Sequence, residues 1–417
     1  MVIITIKEET MRLLKLRIDG ALLFCDHRLE LDFVATDRVP RDEEGNIADV
    51  TALYDGSTVY TQNVLALVGV NASGKTTALN FVRLVLGYMS GAYSMRRFAT
   101  YADRLGKLGD ELTISCVFFE RGRYYLIESK LRHSVRKPGD SALSEGGAVD
   151  AFTFEDETLW RHPGSQVTRR VVMDVDLFRE QSEVLLRRCG PEGDDKVLEE
   201  AQRTFLGDDM SIVSVVTGKR STPVQRPERS LPLISMPTPV IQAFDPSVEY
   251  LNWNVENQVF HLKFKNEDRE RVLSASMAAS VLSNGTVLGA ELVDRAITVL
   301  GEGGYLIVDE IETGLNRSLV ATVIELFASP VTNPKGATLL FSTHYPELLD
   351  VLRRKDNVYV LARDSSFLTQ TIKYSERIKR IENKKSEVLI NNVIKGSMPK
   401  YPDVQAMREF VCEHVNG

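Results

Sequence analysis

One stretch constrains the fold of this 417-residue chain more than any other, residues 63–86, NVLALVGVNASGKTTALNFVRLVL. Its first apolar residues form an unbroken run, which predicts a short strand buried on both faces. The turn that follows, GVNASGKT, completes the pattern G-x-x-x-x-G-K-[ST] with Lys75 and Thr76. Apolar residues then recur at helical spacing. A glycine-rich turn between a strand and a helix predicts a phosphate-binding loop.

The residue types in this turn suit the binding of a nucleotide. Glycines let successive backbone N–H groups point inward at an anion, and the following helix adds its positive N-terminal end. Lys75 would reach the β- and γ-phosphates, and the hydroxyl of Thr76 would bind Mg²⁺. The predicted binding residues are Gly69, Asn71, Ala72, Ser73, Gly74, Lys75, Thr76 and Thr77.

Charge, cysteine usage and hydropathy exclude several other classes of protein. Lys and Arg number 51 against 58 Asp and Glu, so the net charge is −7, and binding of nucleic acid would need a local basic patch. The four cysteines show no C-x-x-C spacing, which is typical of free thiols in a reducing compartment and gives no zinc site. No signal peptide and no membrane-spanning apolar run is evident. We therefore expect a cytoplasmic protein without a membrane partner.

Two hairpins are predicted before and after the phosphate loop. Residues 11–34 alternate apolar and polar side chains around Asp19 and Gly20, which predicts a turn at that pair. Residues 110–132 contain two β-rich runs that meet at residues 120–123. Both hairpins belong to a predicted antiparallel region.

The middle of the chain has a different character. Residues 133–165 are polar and glycine-containing, which predicts a loop with little core. Residues 173–205 show helical spacing in two pieces, split at residues 190–193. Six prolines in residues 221–246 exclude a long helix there. Residues 250–264 alternate again, which predicts strand.

Two later strands end in side chains that would complete a nucleotide site. The apolar run at residues 304–308 is followed by Asp309 and Glu310. Asp309 would hold Mg²⁺, directly or through water, and Glu310 would orient and deprotonate the attacking water. The strand at 337–343 ends at His344, which would contact the γ-phosphate or the water, because ligands gather at the carboxyl ends of strands in open α/β sheets.

A weaker candidate is the turn LSNGT at residues 282–286, which opens a predicted helix over 287–300. A Ser/Gly turn at a helix N-terminus is a potential second anion site, formed here by Ser283 and Gly285. Most such sequences are plain helix caps, with Ser283 or Asn284 as the capping residue. Both interpretations stay open from the residues alone.

Taken in order, GVNASGKTT, LSNGT, YLIVDEIETGL and FSTH resemble the ABC-type ATPases of the SMC, RecF and OLD group. The match is closest to the stand-alone AAA-family ATPases of bacterial anti-phage systems, such as the ATPase subunits of Septu and PARIS. It covers about residues 10–132 and 245–365, plus the tail around Lys395 and Gly396. The resemblance implies an α/β fold: an ABC-type P-loop NTPase head with an N-terminal antiparallel β subdomain, a mainly parallel core sheet and a helical or irregular insertion.

The same resemblance implies the domain limits. Residues 1–132 would be the N-terminal half of the head and 246–365 its C-terminal half, while 133–245 would be the insertion and 366–417 a tail. We expect the insertion to contact a partner, since it interrupts the ATPase without supplying any of its motifs.

The resemblance further implies a homodimer or higher homo-oligomer that closes around ATP and Mg²⁺. Ser283 and Gly285 of one protomer would close on the γ-phosphate held by Lys75 of the other. The chain departs from transporter heads, because LSNGT lacks their glutamine-ending signature and no Q-loop glutamine can be assigned. The proline-rich middle excludes long coiled-coil arms, and the tail is too short for the Toprim nuclease of OLD proteins.

The function that the resemblance implies is a Mg²⁺-dependent ATPase that senses a trigger and regulates a toxic effector in anti-phage defence. The effector would be a separate protein, a nuclease, and the trigger would be encoded by the phage. This role rests on fold-level analogy alone.

Alternative functions remain open at this stage. A DNA-repair or recombination ATPase of RecF type would need a basic path, for which Arg96-Arg97, Arg187-Arg188 and residues 379–385 are the available clusters. A scaffold that binds ATP tightly and hardly turns it over is a third reading. In the tail, Arg408 and His414 match the R-x(4–6)-H spacing of HEPN ribonucleases, although a solvated last helix explains the same residues.

Overall fold

The structure is a computed structural model. It describes residues 11–41, 47–91, 95, 105–136, 149–189, 210–217, 224–225, 230–379, 383–399 and 401–416.

Strands lie at Arg12–Ala21 (β1), Arg28–Asp32 (β2), Val50–Ala52 (β3), Tyr60–Gln62 (β4), Val64–Val68 (β5), Leu108–Glu120 (β6), Arg123–Arg136 (β7), Val149–Arg161 (β8), Glu183–Cys189 (β9), Val224–Gln225 (β10), Val248–Asn254 (β11), Val259–Phe264 (β12), Arg271–Leu273 (β13), Tyr305–Val308 (β14), Thr338–Thr343 (β15), Val358–Arg363 (β16) and Thr369–Lys373 (β17).

Helices lie at Lys75–Met89 (α1), Arg169–Met173 (α2), Val175–Glu180 (α3), Ser214–Thr217 (α4), Thr238–Phe244 (α5), Ala275–Val281 (α6), Asn284–Glu302 (α7), Arg317–Ala328 (α8), Tyr374–Arg377 (α9), Lys385–Ile390 (α10) and Tyr401–Asn416 (α11), with 3₁₀ turns at Cys25–His27 and Pro346–Val351.

One six-stranded sheet is antiparallel throughout, in the order β2-β1-β6-β7-β8-β9. The β6–β7 hairpin turns where the sequence predicts it. Glu120 pairs with Arg123, and the two residues between them, Arg121 and Gly122, have positive φ values of 48° and 74°. A two-residue turn with positive φ at both positions matches the right-handed twist of the strands. This prediction is confirmed.

The first hairpin forms, but its turn lies elsewhere. Asp19 pairs with Arg28, β1 continues to Ala21, and the chain reverses within residues 22–27. The Asp19 carboxylate accepts hydrogen bonds from Arg17 and Arg28, which keep it in the strand. Gly20 has φ +96° at an irregularity of the β1–β6 register, and a Cβ there would lie 2.2 Å from the Glu111 carbonyl oxygen. The prediction of a turn at Asp19 and Gly20 is therefore wrong, because the glycine serves a bulge.

The middle of the chain adds strands to the same sheet. Residues 149–161 form β8, so the loop predicted for residues 133–165 is wrong over that range. Residues 183–189 form β9 instead of a helix, and α2 and α3 are short. Apolar residues such as those of β9 occur in both helices and strands. The pairing of β9 with β8 makes this segment a strand. The second predicted helical piece, residues 196–206, lies outside the described residues.

These strands also affect the predicted domain limits. The limit after residue 132 falls inside β7, and part of the segment predicted as an insertion completes the antiparallel sheet. In the proline-rich stretch the described residues contain the two-residue strand β10 and the seven-residue helix α5, in agreement with the exclusion of a long helix.

The second six-stranded sheet has the order β10-β14-β15-β5-β16-β17 and is parallel except for β17. All residues of β5, β14 and β15 are buried, as expected for central strands with helices on both faces. Leu65 and Leu67 pack in the core that contains α1, whereas Val64 and Ala66 face the core that contains α8. The predicted mixed α/β class with a mainly parallel sheet is confirmed.

Buried polar contacts join the two large sheets. The Leu13 amide donates to the Tyr305 hydroxyl over 2.7 Å, and Asp32 accepts from both Lys15 and Lys373 at 2.8 Å. Burial opposes ionisation of Asp32, but the two ammonium groups outweigh it and lower the pKa of this carboxyl. Since Lys373 ends β17 and Asp32 ends β2, this ion pair holds the end of β2 beside the end of β17.

A smaller antiparallel sheet, β11-β12-β13, covers the helix α6, and the predicted strand over residues 250–264 is in fact the β11–β12 hairpin. Within the described ranges, every helix is too short or too polar to traverse a bilayer.

Candidate functional site

Three neighbouring strands end beside one another at the same edge of the parallel sheet. β14 pairs with β15 and β15 pairs with β5, and Val68 lies opposite Thr343 at the carboxyl ends. Parallel strands deliver the residues that follow them to a shared edge, where open α/β sheets bind ligands. The loop after β5, the acids after β14 and the histidine after β15 therefore meet.

The loop after β5 is built around the Lys75 ammonium group. Its Nζ donates to the carbonyl oxygens of Gly69 at 2.8 Å and Val70 at 2.9 Å. A Cβ at Gly69 would lie 2.2 Å from the Leu361 carbonyl oxygen, and Gly74 has φ +92°. Both glycines are thus required by the backbone path, which explains their spacing.

Lys75 has a lowered pKa. Burial disfavours its charged form, and the carboxylates of Asp309, Glu310 and Glu312 oppose that effect without cancelling it. Additional negative charge at the loop would therefore stabilise the ammonium group.

A hydrogen-bonded chain joins the loop to the acids after β14. The Thr76 hydroxyl donates to Asp309 Oδ2 over 2.7 Å, and the Ser342 hydroxyl donates to Asp309 Oδ1 over 2.5 Å. The Glu310 amide in turn donates to Ser342 Oγ over 2.7 Å. Ser342 is buried in β15, so it orients both acids from the neighbouring strand. Ser342 lies two residues before His344 and was not among the predicted site residues.

Glu310 and His344 approach each other across the site. Glu310 Oε1 lies 3.4 Å from His344 Nε2, and Thr313 Oγ1 donates to Glu310 Oε2 over 3.3 Å. Glu310 has φ +49°, a conformation that costs energy for a residue with a side chain and that is concentrated at functional sites. The His344 amide donates to Glu312 Oε1 over 2.7 Å, so Glu312 is a positioning residue that the sequence analysis missed.

A pocket of about 340 Å³ lies at this edge of the sheet. Its walls are formed by Leu23, Asn71, Ala72, Ser73, Gly74, Lys75, Thr76, Thr77, Glu310, His344 and Arg363. Nine of these residues were predicted from the sequence. Leu23 and Arg363 were not, because they come from the β1–β2 connection and the end of β16, which carry no local motif.

The residues present fit Mg²⁺ bound together with a nucleotide. The Thr76 hydroxyl and the Asp309 carboxylate are oxygen donors of the kind that Mg²⁺ prefers, and they already touch each other. The buried hydroxyl of Ser73 has no hydrogen-bond partner in the described part of the chain, which leaves it for a ligand. No cluster of three or more His, Cys, Asp or Glu suited to a metal occurs among the described residues, so water and phosphate would supply the other ligands.

Ser283 and Gly285 lie outside this pocket. Ser283 is the N-cap of α7, since its hydroxyl accepts from the Thr286 amide over 3.1 Å. A Cβ at Gly285 would lie 2.8 Å from the Gly314 carbonyl oxygen, so this glycine packs against the segment that follows Glu310. Within one chain, the turn is a helix cap.

The remaining candidates show no constellation of their own among the described residues. On α11, His414 Nδ1 lies 2.9 Å from the Phe410 carbonyl oxygen and the two rings stack at 3.9 Å on an exposed helix. In the predicted basic clusters, Arg187 bonds to Asp156 and Arg188 lies over the Phe154 ring. Residues 96–97 lie outside the described ranges.

Comparisons with models of known protein families and with curated protein sequences found no match for this chain.

Proposed function

We propose that the chain is a Mg²⁺-dependent ATPase of the ABC-type P-loop class. The observation that carries this proposal is the convergence of Lys75, Thr76, Glu310 and His344 in one pocket at the carboxyl ends of three adjacent strands. Asp309 lies behind the pocket wall and bonds to the Thr76 hydroxyl. A phosphate loop alone binds an anion, whereas a phosphate loop with a carboxylate pair and a histidine beside it suits hydrolysis.

Each side chain has a separate role in the proposed reaction. Lys75 binds the phosphate oxygens of ATP, and the inward-facing loop amides orient them. Thr76 and Asp309 would hold Mg²⁺, which would supply positive charge beside the phosphates. Glu310 accepts a proton from the attacking water, and His344, 3.4 Å from it, orients that water or the γ-phosphate.

The direct test is phosphate release from ATP by the purified chain, with Mg²⁺ and with excess chelator. We expect turnover that requires both ATP and Mg²⁺ and that stops in Lys75→Ala. A chain that neither binds nor hydrolyses ATP would contradict the proposal. Tight binding with turnover that is unchanged in Glu310→Gln would instead favour an ATP-binding scaffold.

We further propose that ATP drives the assembly of two or more copies. Ser283 is exposed and does not line the pocket of its own chain. A residue that acts on the nucleotide of another protomer has to be placed in this way. Light scattering with and without Mg-ATP tests this point on wild type and Glu310→Gln. Growth in mass that persists in Glu310→Gln supports a shared site, whereas a monomer under all conditions removes Ser283 and Gly285 from the mechanism.

The biological role that we propose is the regulation of a separate toxic effector in cytoplasmic anti-phage defence, in response to a phage-encoded trigger. Its support is the resemblance of motif order to the ATPases of such systems. The test is the plating efficiency of phages on cells that express the chain with its genetic neighbours. Protection lost in Glu310→Gln supports the role, and equal plating with and without the chain across a broad phage panel contradicts it.

A further inference from the structure

The turn between β16 and β17 lies beside the phosphate loop and belongs to no motif of the proposed ATPase. Arg363, the last residue of β16, leads into the turn and lines the pocket. Within the turn, Asp364 Oδ1 accepts hydrogen bonds from the amides of Ser366 and Leu368, both at 2.9 Å. The Asp364 amide also donates to the Leu368 carbonyl at 2.9 Å. These bonds give the turn a defined conformation.

Arg363 bridges this turn and the phosphate loop. Its Nε donates to the Ala72 carbonyl over 2.7 Å, and its Nη1 donates to the Phe367 carbonyl over 3.3 Å. Ala72 has φ +60°, so the arginine bonds to the loop at a residue in a strained conformation. Among the described residues, no group accepts a hydrogen bond from Nη2. The guanidinium group therefore keeps donors for an anion next to the loop.

Phe367 is the unusual residue of the turn. Its φ is +61°, which is uncommon for a bulky side chain, and 70% of the residue is exposed. Packing does not explain an aromatic side chain at this position, because the ring is outside the core. The Phe367 carbonyl accepts from Arg363, which lines the pocket, so the exposed ring belongs to a residue in direct contact with the pocket wall. A strained backbone that exposes an aromatic ring at this place points to contact with the ligand.

Leu23 contributes an apolar side chain to the pocket wall. The Leu23 carbonyl accepts from the Thr369 amide over 2.8 Å, and Thr369 Oγ1 donates to the Ser73 carbonyl over 3.1 Å. The β1–β2 connection, the start of β17 and the phosphate loop are thus fastened together. A flat apolar group that extends from bound phosphates along this wall would meet Leu23 and the neighbouring turn.

We propose that the β16–β17 turn recognises the part of the nucleotide that the phosphate loop does not reach, with the Phe367 ring stacked on the base and Arg363 bound to the phosphate chain. This inference rests on the proposed ATPase function. It makes Phe367 a base-contact residue, and it makes Arg363 both a phosphate contact and a clamp on the loop.

The test compares the binding of ATP and of inorganic tripolyphosphate by calorimetry, with Mg²⁺ present. Phe367→Ala is expected to weaken ATP binding by about tenfold and to leave tripolyphosphate binding unchanged, since stacking requires a base. Phe367→Trp should retain ATP affinity and add an indole whose fluorescence changes with ATP and not with tripolyphosphate. Phe410→Ala, at a residue 59% exposed on α11, is the matched control.

The arginine is tested with the same two probes. Arg363→Ala is expected to weaken both ATP and tripolyphosphate, because it removes a phosphate contact that does not involve the base. Arg363→Lys should recover only part of the loss, since an ammonium group lacks the planar fork that bonds to two partners at once.

The outcomes separate this inference from the proposed function. If Lys75→Ala loses both probes while Phe367→Ala and Arg363→Ala bind both as wild type does, the role of the turn is overturned and the ATPase site stands. If the wild type binds neither probe, or if Lys75→Ala binds both normally, the proposed function fails and this inference fails with it.

Discussion

Two turns in this molecule look alike in sequence and differ in what surrounds them. Each contains glycine and serine and leads into the N-terminus of a helix, α1 after Gly74 and α7 after Ser283. The first turn surrounds a buried lysine and faces two carboxylates that follow β14. The second caps its own helix on the exposed surface.

The difference shows what makes a helix N-terminus into a site. The partial positive charge of the helix end is common to both turns. In the loop after β5, Lys75 bonds to carbonyls of the loop itself, and Thr76 bonds to Asp309 at the end of another strand, which Ser342 also holds. Among the described residues of its own chain, the Ser283 turn has no such partners, so a role with nucleotide would require a second copy.

Among the variants that test the difference between the two turns, Glu310→Gln is expected to have the largest effect on activity. Loss of the general base should reduce the rate of ATP hydrolysis by about a thousandfold and leave ATP affinity nearly unchanged. Phosphate release and equilibrium binding measure the two quantities. Glu302→Gln, at an exposed position on α7, is the control and should behave as wild type. Equal hydrolysis by both variants would remove Glu310 from the reaction.

A second large effect is expected from Lys75→Ala. Charge-assisted hydrogen bonds to phosphate should be lost, so affinity for ATP should fall by about a hundredfold. Isothermal calorimetry measures the dissociation constant, with the exposed Lys265→Ala as the control. Retained affinity would show that the loop is no more a nucleotide site than the Ser283 turn.

The pH dependence of binding follows from the same lysine. Burial lowers the pKa of free Lys75, and bound phosphate would raise it, so ATP binding should take up protons at alkaline pH. Affinity should fall as the pH rises through the lowered pKa of the free chain. Calorimetry in buffers of different ionisation enthalpy measures the uptake. Equal heats in all buffers at alkaline pH would contradict a charge-coupled role for Lys75.

Ser283→Arg tests whether the second turn works across a protomer boundary. We expect the roughly twofold increase in mass that ATP would cause in a dimer to disappear, because the added side chain fills the interface. Light scattering measures the mass, and Ser280→Arg on α6 is the control. Assembly that persists in Ser283→Arg would leave the turn as a cap only.

The smallest effect is expected from Ser283→Ala, which removes the cap without adding bulk. The free energy of unfolding should fall by about 1 kcal/mol, since the Thr286 amide loses its acceptor. Urea unfolding measures this change, and ATP binding to the monomer should remain as in wild type. A stability equal to that of wild type would show that the cap contributes nothing.

Local patterns were reliable where neighbours in sequence are also neighbours in space. The strand β5 and the β6–β7 turn depend on residues a few positions apart, and the sequence predicted both. The Ser283 cap was one of the two interpretations that the sequence left open for its turn. The predictions for the first hairpin turn and for residues 183–189 were wrong, because pairing with distant strands determines both structures. Gly20 serves a bulge against β6, and residues 183–189 become a strand by pairing with β8.

The sequence by itself determined which residues are candidates to bind phosphate and Mg²⁺ and which strand ends carry acids and a histidine, because those chemical types follow spacing rules. Only the tertiary structure decided which of them meet. Ser342 and Glu312 act through contacts with residues on the neighbouring strand end, and Arg363 reaches the loop from a distant position in the chain. Such contacts depend on sheet order, which local periodicity does not encode.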